Sequence, residues 1–159
     1  MSTFCDTSCC EHGAAWALPR VKYKRDRRLE EAIRMLVEAM GLDYIDTSRV
    51  YAAWSTGSRT RAYARIWGLP SPFTRLGLCE PMYVIELVSE NFAGLSCREM
   101  VHVLVHEILH IPRSFSGGLR SHGEWSHWRS IRSIVARLPR GVVEEVCRLL
   151  RESAAGPPR

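Results

Sequence analysis

Val101-His102-Val103-Leu104-Val105-His106-Glu107-Ile108-Leu109-His110 is an apolar run interrupted by three histidines and one glutamate. Ser96 and Glu99 precede it at the spacing of a capping box, in which a serine hydroxyl and a glutamate carboxylate satisfy N–H groups at a helix start. Pro112 stops the helix, because the residue before a proline is driven out of the α region. Met100, Val101, Val103, Leu104, Val105, Ile108 and Leu109 leave so little polar surface that the helix must be buried. His106 and His110 are four apart, so their side chains emerge on one face with Cβ atoms about 5–6 Å apart. Both can reach one Zn²⁺ at about 2.0–2.1 Å. Glu107 leaves in a neighbouring direction, where it can hold a water without ligating the ion. Two ligands and one base on a helix is the arrangement of metal-dependent peptide hydrolysis. A purely structural role is harder to sustain, since two buried imidazoles and a carboxylate need polar partners. His102, one turn earlier, diverges too far to share the same tetrahedral ion and is expected in the core or behind the ligands.

A catalytic zinc takes three protein ligands and keeps one position open. The third has to come from the chain after Pro112, where His122, Glu124 and His127 are the candidates. His122 is best placed: it follows the Gly117-Gly118 turn, and the intervening chain is long enough to fold back. Gly123 beside it permits close backbone approach. The oxyanion formed on a peptide carbonyl needs a donor besides the metal. Arg120 and Tyr83 are candidates, with a surface arginine and a packed tyrosine the plainer reading of each.

Around this core, Leu29, Ala32, Ile33, Leu36, Val37 and Met40 recur at helical spacing over 26–40, and Gly41 is the expected C-terminal glycine. Ser48–Ser55 and Thr60–Trp67 are rich in β-formers and flank Thr56-Gly-Ser-Arg59, which predicts a β-hairpin. Residues 68–81 hold three prolines and two glycines and read as a long loop of the kind that lines a cleft. Met82–Val88 is a third strand, apolar enough to be central, with Glu86 an ordinary outward-facing residue. Residues 111–121 form a connection, followed by helices over 125–138 and 142–150. The order is α+β, with a sheet of about three strands that includes antiparallel pairing and one buried helix.

At 159 residues, 46% hydrophobic and 25% charged, the chain is expected to be one soluble domain, with an irregular Cys-rich head over 1–24 and a flexible tail over 154–159. No basic-then-apolar leader opens it and no run is long enough to span a bilayer, so a cytoplasmic location is expected. The net charge is +5 and only Lys22 and Lys24 are lysines. Such a basic surface is open to nucleic acid, but the arginines are scattered and form no binding motif, so a solvated surface is the simpler reading. There is no Gln and a single Asn, Asn91; depletion of these thermolabile amides points to a thermophilic source. Cys5, Cys9, Cys10 and His12 cluster at the head, while Cys79, Cys97 and Cys147 stand apart. All six are thiols in an ordinary cytosol, whereas intracellular disulfides occur in hyperthermophiles. The head cluster lacks the paired spacing of a zinc ribbon, which leaves a tail, a disulfide or a second metal site.

The run from His106 to Gly123, with Ile111-Pro112 and Gly117-Gly118-Leu119-Arg120 inside it, resembles a family of metallopeptidases of archaea and phages. Ala64-Arg-Ile-Trp-Gly-Leu-Pro70 and Tyr83-Val-Ile-Glu86 look like upstream segments of that family, so the resemblance spans about 45–125. It implies a zincin-like fold with His106, His110 and His122 as ligands of Zn²⁺ and Glu107 as catalytic base, acting on a peptide or protein substrate. His122-Gly123 before an aromatic residue is similar, more loosely, to the SprT group of DNA-associated proteases. Two rival functions stay open. One is a nucleic-acid-associated protein whose zinc is structural, which would show a fourth protein ligand. The other is a metal hydrolase of a non-peptide substrate.

Overall fold

The computed structural model describes residues 21–156. Its sheet has four strands rather than three: β1 (Lys22–Arg25), β2 (Val50–Thr56), β3 (Ala64–Gly68) and β4 (Tyr83–Val88), in the order β1-β2-β4-β3. β1 overlaps the end of the stretch expected to be irregular and pairs antiparallel with β2. The expected hairpin does not form. β2 and β3 are separated by β4, which runs parallel to β2 and antiparallel to β3. The reason is burial: β4 is a highly apolar strand and is best satisfied inside the sheet, paired along both edges. The connection after β2 passes across it and is held by the Asn91 side-chain amide, which donates to the carbonyls of Thr60 and Ala62 at 2.9 and 2.8 Å.

Helices cover one face of the sheet. α1 (Arg27–Ala39) is capped by Asp26, whose carboxylate accepts from the Arg28 N–H, and buries Leu29, Ala32, Ile33, Leu36 and Val37. It ends at Gly41, which takes φ +65. α4 (Cys97–Leu109) carries the histidine motif. Its capping box is formed, with Ser96 Oγ accepting from the Glu99 N–H at 3.4 Å and the Glu99 carboxylate accepting from the Ser96 N–H at 2.8 Å. α5 (Trp128–Ala136) packs on α4, and α6 (Arg140–Ala154) packs on α1 and α4. α6 starts before Gly141 and runs to the position where a flexible tail is expected. A buried relay joins three layers: Trp54 Nε1–H donates to Ser153 Oγ, and Ser153 Oγ–H donates to Asp26, both at 2.7 Å.

Residues 68–81 are not wholly loop, since α2 (Ser71–Arg75) forms within them. After β4 the chain makes one short helical turn, α3 (Ser89–Phe92), before α4. Cys97 and Cys147, which stand apart in the sequence, meet as a disulfide with Cα atoms 5.6 Å apart, tying the start of α4 to α6. The head cluster of Cys5, Cys9, Cys10 and His12 lies outside the described residues. Among the described residues no helix is long and apolar enough to cross a membrane.

Glu86 does lie on the sheet face away from the helices, but it is fully buried there rather than ordinary and exposed. It accepts from Arg65 Nη2 at 2.6 Å and from Trp67 Nε1 at 2.7 Å. Burial alone would push its carboxyl up. The bonds and the guanidinium charge outweigh that and hold it below the usual range.

Candidate metal centre

Everything that shapes the site follows from α4 ending where it does. His110 is the C-cap residue, so its carbonyl has no partner within the helix. The returning chain supplies one: the Arg120 N–H donates to the His110 carbonyl at 2.7 Å. The same residue then accepts through its own carbonyl from His110 Nδ1–H, also at 2.7 Å. A carbonyl can only accept, so the proton must sit on Nδ1, and the lone pair of Nε2 is left to face the site. Two residues further on, His122 meets the helix. His106 Nε2 lies 3.2 Å from His110 Nε2 and 3.2 Å from His122 Nε2. Ligand atoms at about 2.0–2.1 Å from a tetrahedral ion stand about 3.3–3.4 Å apart. The observed separations match that spacing, and the three form the metal-capable group of the described residues.

Electrostatics keep this group ready for a cation. Burial, then the neighbouring His110 and His122, push His106 down to about 4. His110 is lowered as well, chiefly by burial. Neutral imidazoles are the ligating form. Glu107, only 9% exposed, is pushed up to about 7 by burial, against the opposing pull of the Ile66 N–H that it accepts from.

That Ile66 bond places β3 in the site. Leu69 and Tyr63 pair with β4 through Leu69 N–H to Met82 O and Val88 N–H to Tyr63 O. Antiparallel pairing alternates, so the odd residues of β3 face β4 and the backbone groups of Ala64 and Ile66 face the free edge. The edge borders a recess of about 470 Å³ lined by Ile66, Trp67, His106, Glu107, Leu119 and His122, among others.

The descriptive model for "Putative phage metallopeptidase" matches residues 21–152. The chain belongs to this phage metallopeptidase family. The match takes in every strand and nearly all of α6, well beyond the 45–125 stretch that carries the sequence resemblance. No curated protein and no solved structure matches the chain.

In this family member the other candidate residues have different tasks. Glu124 and His127 are exposed and outside the converging group. Tyr83 is not available as an oxyanion donor: its hydroxyl donates to the Gly118 carbonyl at 3.0 Å and accepts from the Gly117 N–H at 2.8 Å. It pins the turn that returns the chain to α4. The Arg120 guanidinium is held by the Leu109 carbonyl at 3.3 Å and lies 4.6 Å over the Trp125 ring, so its contribution to the site is made through its backbone. His102 is a core residue, 3% exposed and stacked on Trp128 at 4.5 Å, with Nδ1–H donating to the Arg98 carbonyl at 2.7 Å. Gly123 needs no special conformation, since a side chain there would meet Trp125 only at 3.6 Å.

Three features escape the sequence reading. Trp125 packs against all three histidines, with ring centroids 5.0 Å from His110, 5.8 Å from His106 and 6.4 Å from His122. Its place just after His122-Gly123 was the available signal. The Ile66 N–H and the Arg120 carbonyl are backbone groups, which residue identity does not advertise. A close glycine contact supports them: a Cβ on Gly68 would stand 2.0 Å from the Gly117 carbonyl, and one on Gly117, at φ +90, 2.5 Å from the Leu69 carbonyl. This contact presses the returning loop onto the end of β3.

Proposed function

We propose that the protein is a zinc-dependent peptidase in which His106, His110 and His122 hold the metal and Glu107 is the general base. The convergence of His110 Nε2 and His122 Nε2 on His106 Nε2, each at 3.2 Å, carries this reading. Three protein ligands leave a coordination position open, as a catalytic rather than a structural zinc requires. When bound, the ion supplies Lewis acidity to water and to the substrate carbonyl. Glu107 takes the proton of the attacking water on its carboxylate and passes it to the departing amine nitrogen. The Ile66 N–H orients that carboxylate, while the Arg120 carbonyl fixes the tautomer of His110. The free edge of β3 favours a peptide over other substrates. An extended chain laid along this edge can pair with the outward backbone groups of Ala64 and with the Ile66 carbonyl and be drawn past Glu107.

Glu107→Gln tests the assignment. The variant is expected to retain one equivalent of zinc and to lose at least a hundredfold in hydrolysis of a denatured protein substrate. Chelator should silence the wild type and added zinc restore it. Full cleavage by Glu107→Gln would remove the base assignment.

A further inference from the structure

A second recess extends from Glu107 toward the N-terminal half of α4, away from His110 and His122. It has a volume of about 310 Å³ and is walled by Tyr63, Val103, Trp128 and Ile131, reaching His106 and Glu107. Apart from Glu107, its walls offer no charged group to pair with a ligand. His102, which also borders it, has its Nδ1–H bonded to the Arg98 carbonyl at 2.7 Å and its Nε2 buried. An acidic side chain entering would lose water and face Glu107, and a basic one would lose water against apolar walls with only Glu107, the proposed base, to pair with. Tyr63 and Trp128 are 48% and 58% exposed, large rings left in solvent at the rim. Their apolar surface is removed from water when a side chain enters. Trp128 is already set in place by its stacking on His102, at 20° between rings, so the wall is formed before any ligand arrives.

We propose that this recess is the specificity pocket of the peptidase site and takes a bulky uncharged side chain, aromatic or aliphatic, from a residue beside the scissile bond. The inference rests on the peptidase reading of the metal centre. Ala64 of β3 borders both this recess and the one facing His122. A peptide extended along that edge alternates its side chains, so it can seat one in the recess while its backbone passes Glu107.

The test uses the zinc-loaded full chain in two arms. In the first, cleavage sites in denatured casein are mapped by mass spectrometry. Phe, Tyr, Trp, Leu, Ile or Met should occupy one fixed side of the cut bond, with Asp, Glu, Lys and Arg excluded there. Trp128→Ala, with zinc content unchanged, should reduce the kcat/KM preference for a Phe over an Ala peptide at least tenfold. Tyr63→Ala serves the same purpose if Trp128→Ala does not fold. An unchanged preference in the variants, or charged residues at that side, overturns the pocket assignment. In the second arm, binding of peptides differing only in Phe, Leu, Ala, Asp or Lys is measured on zinc-loaded Glu107→Gln. Phe should bind at least tenfold tighter than Asp, and equal binding overturns the proposal. If the wild type cleaves nothing yet this discrimination is found and is lost with Trp128→Ala, the pocket stands and the peptidase reading falls.

Discussion

Glu107 sits where an ionised carboxylate is expensive, and the metal-free protein bears that cost. Its folded-state carboxyl is raised to about 7 by burial. A group raised in this way contributes stability below its unfolded value near 4.5 and loses that contribution as pH rises through 7. His106, lowered to about 4, behaves in the opposite sense: its contribution is present above 6.5 and lost as pH falls through 4. Replacing Glu107 with Gln should therefore stabilise the chelator-treated protein at pH 8, by on the order of 2–3 kcal/mol, and leave it unchanged at pH 4.5. Thermal denaturation at the two pH values checks this, and equal stability at pH 8 would contradict the burial of the charge. The identity of this residue, and of His106 and His110, was legible because a buried helix has few ways to accommodate them. The groups that orient them were not. A backbone N–H from Ile66 and a carbonyl from Arg120 become partners only through the tertiary fold.

The connection between α4 and His122 behaves as an element in its own right, though it has no regular structure. Tyr83 grips its turn and Gly117 presses it against the end of β3. Gly117→Ala meets two obstacles, a positive φ and a backbone oxygen at 2.5 Å. It should cost about 1–3 kcal/mol or more and weaken zinc binding at least tenfold by shifting His122. Gly118→Ala is the control, because its nearest neighbour would stand at 3.9 Å and its φ is unexceptional. Melting and competitive zinc titration of both variants distinguish the two glycines; equal effects would contradict the contact. The sequence shows a Gly-Gly turn here but not which glycine matters, since the deciding oxygen belongs to Leu69, far away along the chain. At the start of α4 the capping box was plain from Ser96 and Glu99, because it is a local interaction. Ser96→Ala should lower stability by about 1 kcal/mol, as read by denaturant unfolding.

Across the molecule, the parts that depend on local pattern and those that depend on topology separate cleanly. The α+β order, α1 with its terminal glycine and the buried α4 all follow from periodicity and caps. The β2–β3 pairing does not, because a hairpin signal competes with the demand of β4 to be paired along both edges. Pairing of Cys97 with Cys147 likewise depends on α6 meeting the start of α4. Closing a loop across a separation of 50 residues is worth about 4 kcal/mol in the chain-entropy view, with measured values commonly 2–4. Reduction, or Cys147→Ser, should lower the melting temperature by roughly 5–15 °C. An unchanged melting temperature, with the thiols shown by alkylation to be released, would mean that the tie contributes no stability.

The metal centre itself is tested most directly by X-ray absorption at the zinc edge on protein reconstituted to one equivalent. The expected result is a coordination shell of three imidazole nitrogens at about 2.0–2.1 Å and one oxygen from solvent, reduced to fewer imidazoles in His122→Ala. Sulfur in the shell, or a fourth protein ligand closing it, would contradict the account.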